Sequence, residues 1–504
     1  MLRDVPARED LLNVSPEELA DAYVVALDDH VRTADGKHYT PPLLAQGLYQ
    51  QAVEALGGEP DGLVWDPASG AGMLLLPALR AWLARHTETH PELALESVRH
   101  SIGGRDLDAA AVWLGNVLLA AELLPTWKKV SAPRRRPLPA LLSVGDGLAS
   151  PPASVQVGIL NPPYGRVRLT DEDRKRWKHV LYGHANRYGL FMASVADNLA
   201  PGGVMSALVP AGWLGGSYFQ RLRSHLADTA PLKHLTHVTD RAGVFSTGVL
   251  QETVMATFQH GHGTGRAKCE RLTANGSVVR SAIGYGQLPK LGDRPWLLPR
   301  RQEDKALIDA AQAMSHRLTD YHWTVSTGPL VWNRHKPQLV AEQQSHAVKI
   351  IWAGDLDGGE LHQDPARDGM RYFLPRERDR FMLLERPAVL VQRITAPEQP
   401  RRLLAAALTD EALKRWGGTV SVENHVNVLA TLEKDSPLTP QVLTALLDSE
   451  ALDRLYRCLT GSVSVSAYEL SALPLPGPAT LKAWASLSGD ELLQSVNRIY
   501  GLTL

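Results

Sequence analysis

"VGILNPPYGR" occupies Val157–Arg166, and its reading decides how the rest of the chain is organised. An apolar run, Val157 to Leu160, stops at Asn161-Pro162-Pro163-Tyr164. Proline fixes φ and removes a backbone N–H, so a buried strand must end there. The simplest reading is a rigid turn. The sharper one is a clamp for a flat, hydrogen-bonding ring. The Asn161 side chain and the Pro162 carbonyl offer acceptors, Pro163 stiffens the turn, and Tyr164 offers a planar face. Two acceptors that hold both hydrogens of an exocyclic amine localise its lone pair and make it nucleophilic without a strong base. Stacking on an aromatic face adds about 1–3 kcal/mol per base.

Working outward, the pattern "strand, polar tip, helix" recurs. "LVWDPASGAG" enters a Gly-rich turn after Asp66 and leads into the helical "MLLLPALRAWLARH". A second apolar run ends at Asp106 and a third at Asp146. Beyond Tyr164 come a helix, a Pro-Gly-Gly turn and three further strands, to about residue 260. Alternation of this kind predicts a doubly wound α/β sheet. Ligands in such sheets sit beyond the carboxyl ends of the strands, where Asp66, Asp106, Asp146 and Asn161 all fall. One acidic strand end means little, but four polar ends in sequence suggest one pocket. Near the N-terminus, Ser15 reads as the cap of a helix over 15–31, and Thr40 as the cap of a helix from Pro41 to about Gly57.

The Gly-rich turn is neither a P-loop nor a dinucleotide fingerprint, since no Gly-Lys-Ser/Thr follows and the spacing is wrong. An ordinary tight turn is an equal alternative. Asp106 stands where an acidic residue accepts ribose hydroxyls. Asp108 reads as a ligand or as the cap of the next helix. Asp146 suits an adenine amino group.

Totals bound the answer. The chain has 504 residues, 44% hydrophobic and 21% charged, with a formal net charge of −1. Bulk charge does not announce a nucleic-acid binder, although a local basic face remains open. Two distant cysteines, Cys269 and Cys458, allow no disulfide framework, which makes a reducing cytoplasm the default. No signal peptide, membrane span or metal site is expected. His260, His262 and Cys269 read as a polar loop rather than a zinc site.

Asn161-Pro162-Pro163-Tyr164 resembles the (D/N/S)PP(Y/F/W) signature of amino-methyltransferases that use S-adenosylmethionine. "GKHYTPP" before "DPASGAG", then "NPPYG", then a large C-terminal region, resembles the gamma class of DNA adenine-N6 methyltransferases, Taq-type, over residues 36–258. The size and two-part layout are similar to the PstI/BsuBI-like enzymes of type II restriction-modification systems. The resemblance implies a Rossmann-like S-adenosylmethionine-dependent methyltransferase sheet with a C-terminal α+β target-recognition domain. It implies that Tyr39, Thr40, Pro41, Asp66, Ala68, Gly70, Gly72, Asp106, Asp146, Leu148 and Asn161 bind the cofactor. Leu148 is included because Gly147 stands where the family often carries a bulky residue. It makes Asn161, Pro162, Pro163 and Tyr164 the catalytic turn and Phe245 a second aromatic against a flipped base; a core Phe beside a strand is the alternative for Phe245.

The expected layout is an N-terminal helical segment (1–35), a catalytic domain (36–260), a linker and helical connection (261–320) and a recognition domain (321–504). Candidate DNA contacts are Trp332, Asn333, Arg334, His335, Lys336, Gln392, Arg393, Arg401 and Arg402, because Arg can read guanine and Asn or Gln adenine. A solvated basic face is the alternative at each, as it is for Arg134-Arg135-Arg136. The expected partners are double-stranded DNA and a separately encoded restriction endonuclease, for a monomer or dimer. An RNA or protein-glutamine methyltransferase, or a cofactor-binding recognition subunit of a defence complex, are the rival readings. Cytosine N4 fits the same clamp as adenine N6.

Overall fold

The structure, a computed structural model, describes residues 15, 17–19, 22, 40–149, 151–238, 252–261, 263–274, 278–289, 294–395, 399–433, 435–459 and 464–502. These fall into two units. The first runs to Trp213, resumes at Tyr218 and closes before Arg294; the second holds Leu214–Ser217 and the described chain from Arg294 onward.

The first unit has eleven described strands, nine of them in one sheet. In chain order they are β1 (Val64–Asp66), β2 (Ile102–Asp106), β3 (Leu142–Val144), β4 (Val155–Leu160), the short pair β5 (Arg166–Val167) and β6 (Ala185–Asn186) outside the main sheet, β7 (Leu199–Pro210), β8 (Leu232–Val238), β9 (Thr253–Gln259), β10 (Arg266–Ala274) and β11 (Val278–Gln287). The sheet order is β11-β10-β8-β9-β7-β4-β1-β2-β3. From β7 through β3 every pairing is parallel. The chain leaves β1 towards β2 and β3 on one side and returns to β4 on the other, so strand order reverses between β1 and β4. A crevice opens at such a reversal.

The crossovers follow from sequence. Helix α1 (Pro42–Leu56) ends at Gly57, whose φ of 84° suits only glycine without strain. Thr40 is not its cap: Pro41 holds that position without a side-chain bond, and the Thr40 hydroxyl is used elsewhere. Helices α2 (Leu76–Arg85), α3 (Pro91–Ser101), α4 (Ala109–Lys129), α5 (Asp171–Arg176), α6 (Arg187–Ala196) and α7 (Gln220–Thr229) complete the unit. Leu44, Leu48, Leu75, Leu79, Val98, Leu119, Val157 and Ile159 form its dry centre. Among the described residues α4 is the one helix long and apolar enough to cross a membrane by length and composition, which corrects the expectation of no such stretch. Its inner face is packed on the sheet. Leu118, Leu119 and Leu123 are buried, and Asn116 bonds the backbone of Leu141 and Leu142.

The expected linker after residue 260 is also corrected. "GRAKCERL" is a strand: β10 pairs parallel with β8 and antiparallel with β11, extending the sheet to residue 287. Ala267 and Cys269 on one face and Glu270 and Leu272 on the other are buried along it, a two-sided burial hidden among glycines and charges in sequence.

The second unit mixes two small sheets with helices. The four-stranded sheet runs Trp323–Thr327, Val426–Thr431, Ala388–Gln392, Ala405–Leu408, all antiparallel. The five-stranded one includes Val348–Ile351 and Val420–Val422. Helices Pro440–Leu447, Glu450–Leu459 and Gly489–Ile499 close a core of Leu443, Leu446, Leu455, Tyr456 and Tyr500. Both cysteines are free and buried.

Candidate active site

Backbone bonds lock the successive strand tips together. Ser69 N–H donates to Arg105 O (3.0 Å), and Gly145 N–H donates to Asp106 O (2.8 Å). The turn after β1 closes through Gly72 N–H to Ser69 O (2.7 Å), with Gly70 and Gly72 at φ of 49° and 77°, the left-handed region. Asp106 receives Gly70 N–H on one oxygen (2.8 Å) and Asp108 N–H on the other (2.9 Å). Asp108 itself caps α4, so of its two readings the structure supplies the helix cap. Asp146, exposed at its tip, accepts Leu148 N–H at 2.9 Å.

Asp66 is unusual. It is 0% exposed; one oxygen accepts Ala68 N–H at 3.0 Å and the other, buried, has no hydrogen-bond partner. Burial pushes its carboxyl up to about 8, and the neighbouring Asp106 charge adds to this. The buried Ser69 hydroxyl likewise has no hydrogen-bond partner. Both residues line the cleft, and buried polar atoms are usually hydrogen-bonded, so these two stand out.

Gly147 explains a departure from the family pattern. A Cβ there would stand 1.8 Å from the Pro67 carbonyl oxygen, so no side chain is tolerated. Leu148, one residue on, lines the cleft instead.

Asn161 directly follows β4. Asn161 donates through Nδ2 to the Thr40 hydroxyl (2.8 Å), which leaves Oδ1 as the acceptor. That oxygen receives the Tyr164 hydroxyl at 3.1 Å, and the same hydroxyl lies 3.3 Å from Leu208 O on β7. Burial raises the Tyr164 phenol well above its ordinary value. The ring meets Tyr188 edge-on, centroids 6.1 Å apart. Thus the turn is rigid, and it also orients an amide.

A cleft of about 700 Å³ joins these parts; Thr40, Asp66, Ala68, Gly70, Asp106, Asp146, Leu148, Asn161 and Pro163 all line it. Pro41, Gly72, Pro162 and Tyr164 do not line it. Tyr39 and Phe245 lie outside the described residues. Sequence reasoning missed Leu107, Trp177, Arg187 and Phe191, which also line the cleft. Leu107 directly follows Asp106 and is 73% exposed, a bulky apolar residue at a strand tip and the one signal that could have flagged it. The volume and mixed lining suit a nucleoside-sized ligand.

In the second unit the proposed contact residues separate. Asn333, Arg334 and Lys336 are exposed, and the Lys336 ammonium lies 5.4 Å from the Trp332 ring centre. His335 packs edge-on against Phe373. Arg393 donates to Asn424 O, and Arg401 pairs with Asp448 at 3.0 Å. Gln392 is half-buried at the end of its strand. Arg402 is 1% exposed, donates to the Thr395 hydroxyl (3.0 Å) and lies over the Tyr456 ring. A DNA contact at Arg402 is therefore corrected: the residue is part of the core.

The strand reversal, the locked tips and the cleft are those of a doubly wound, Rossmann-like α/β fold. Residues 156–245, the segment carrying Asn161, match the model of the Eco57I restriction-modification methylase family. The chain is 26% identical over 326 residues to the Type II methyltransferase M.BsuBI of Bacillus subtilis, covering 63% of this chain and 64% of that protein. It is 24% identical over 332 residues to M.PstI of Providencia stuartii, with the same coverages. The chain thus spans somewhat under two thirds of either relative's length. Among solved structures, a nuclease-deletion mutant of the Type ISP restriction-modification enzyme LlaGI, in complex with a DNA substrate mimic, superimposes with a TM-score of 0.51 at 10% identity. That match covers 93% of this chain and 56% of that one, and concerns the fold alone.

Proposed function

We propose that this protein is a sequence-specific DNA methyltransferase that transfers a methyl group from S-adenosylmethionine to N6 of an adenine swung out of the duplex. In this reading it is the modification partner of a separately encoded restriction endonuclease and works in the cytoplasm on double-stranded DNA. The observation that carries it is the Asn161 amide, which lines the cleft and is oriented by its bond to Thr40. The likeness to type II methyltransferases supports it.

S-adenosylmethionine supplies a methyl group activated by a sulfonium. The residues do the rest. Asp106 takes ribose hydroxyls, Asp146 takes an adenine amine, and Gly70 and Gly147 let backbone approach. Asp66, whose second oxygen lacks a partner, offers charge to the cationic portion of the ligand. Extruding a base costs a few kcal/mol, which stacking and edge hydrogen bonds offset. The substrate amine must replace the Tyr164 hydroxyl at Asn161 Oδ1; release of that hydroxyl accompanies entry of the base, and the Tyr164 face is then available for stacking. Asn161 and the Pro162 carbonyl would hold the amine with its lone pair towards the cleft, where the bound cofactor would supply the electrophilic methyl group and water would take the amine proton released on transfer. Positioning and electrostatics account for the rate.

The test is expression in a methylation-deficient bacterial host, beside Asn161→Ala, with genomic sequencing that detects N6-methyladenine. One short motif methylated only with the intact protein is the expected result. Unmodified DNA, with the purified protein binding S-adenosylmethionine, would move the substrate to RNA or protein.

A further inference from the structure

In the first unit, outside the residues that line the cleft, three side chains from separate segments converge. His179 follows α5, Asp197 ends α6, and His225 lies in α7. Their ligand atoms all lie within 4.8 Å of one another. Asp197 uses both oxygens: Oδ2 is 3.4 Å from His179 Nε2, and Oδ1 is 2.6 Å from His225 Nε2. The imidazoles meet edge to face at 4.9 Å.

We infer that these three residues form a binding site for a divalent transition-metal ion, zinc by ligand chemistry, with water completing a tetrahedron. Two imidazoles and a carboxylate suit that ion. Tetrahedral ligands at about 2.0–2.1 Å stand about 3.3 Å from each other. The His179–Asp197 separation of 3.4 Å already has that spacing. The His225–Asp197 pair, at 2.6 Å, must open by under an ångström.

Two further observations favour a cation here. Asp197 is the C-terminal cap of α6, where the helix dipole disfavours a carboxylate and a bound cation removes the conflict. The turn bearing His179 is also held before any metal arrives, since Arg221 of α7 donates to Lys178 O at 2.9 Å. The charged groups in sequence or hydrogen-bond contact with the cluster's segments are Arg221 on α7, engaged by this bond, and Lys178 on the turn, which is exposed. The same turn carries Trp177, 5% exposed and part of the cleft wall, so the ion would clamp that wall to α6 and α7.

Calorimetric titration of untagged full-length protein with zinc chloride tests this, together with X-ray absorption at the zinc edge. One ion per chain with nitrogen and oxygen ligation is expected. Loss of an outer-shell partner already costs 10–100-fold in affinity, so His179→Gln and His225→Gln should each lose about 100-fold or more. His184→Gln, an exposed histidine outside the cluster, should bind as the parent does. Trypsin should cut after Lys175, Arg176 and Lys178 more slowly with zinc in the parent only. Zinc binding unchanged in both cluster variants, or no stoichiometric binding by the folded parent, would overturn the site.

Discussion

The strand tips of the first unit and the arginine-bearing loops of the second were singled out by the same sequence logic, and they behave differently. At the tips, Asp66, Asp106, Asp146 and Asn161 all reach one cleft. In the loops, Arg334 is exposed, Arg401 is paired and Arg402 is buried. A polar residue that ends a buried strand has its place dictated by the sheet. An arginine in a loop takes its place from whatever lies opposite, and for the Arg401–Arg402 segment that is Asp448, Asp453 and Tyr456, some fifty residues on.

The sharpest way to break this contrast is to remove one side chain from each region. Asn161→Ala should lower methyl transfer by about 10²–10³-fold or more while leaving S-adenosylmethionine binding within a few-fold, read by single-turnover kinetics and calorimetry. Arg402→Ala should instead cost roughly 3 kcal/mol of stability, read as a lower urea midpoint for the second unit. The exposed pair Arg334→Ala and Lys336→Ala should leave that midpoint unchanged and weaken DNA binding with a shallower salt dependence. If Arg402→Ala were stable but deficient in DNA binding, the contrast would fail.

Next in size is Gly147→Ala. Its Cβ would fall 1.8 Å from Pro67 O, so the first unit should lose about 1–3 kcal/mol and bind cofactor poorly. Asp66 sharpens the comparison through pH. Its folded value of about 8 lies above the ordinary carboxylate range. Between the two, the folded protein holds a proton that the unfolded chain has released, so stability falls as pH rises through that window. Asp66→Asn should abolish that fall and stabilise the ligand-free protein at pH 7. A cationic cofactor selects the ionised form, so affinity should rise about tenfold from pH 7 to 9 in the parent and stay flat in the variant. Smallest is Thr40→Ala, which removes one hydrogen bond to Asn161 and should cost about 1 kcal/mol, seen as a modest fall in kcat with KM unchanged.

These cases also mark what was legible beforehand. The sheet could be read because apolar runs ending in Asp or Asn recur, and because glycines after Asp66 announce a tight turn. The Thr40–Asn161 bond could not, since 121 positions separate its ends and Thr40 looked like a helix cap. The stretch around β10 reads as loop or hairpin, and the hairpin with β11 forms; that it also joins the main sheet is hidden because its buried Ala267, Cys269 and Leu272 lie among polar residues. The histidine–aspartate cluster was invisible for a similar reason: its members are 18 and 28 positions apart on three elements, with no ligand spacing to read.

The central claim, that the Asn161 amide presents an exocyclic adenine amine to the methyl donor, is tested most directly with purified protein, duplex DNA and S-adenosylmethionine labelled in its methyl group. Digestion of the DNA to nucleosides should return the label in N6-methyldeoxyadenosine, and Asn161→Ala should return it about 10²–10³-fold more slowly. Label in N4-methyldeoxycytidine, or equal label in the variant, would contradict the account.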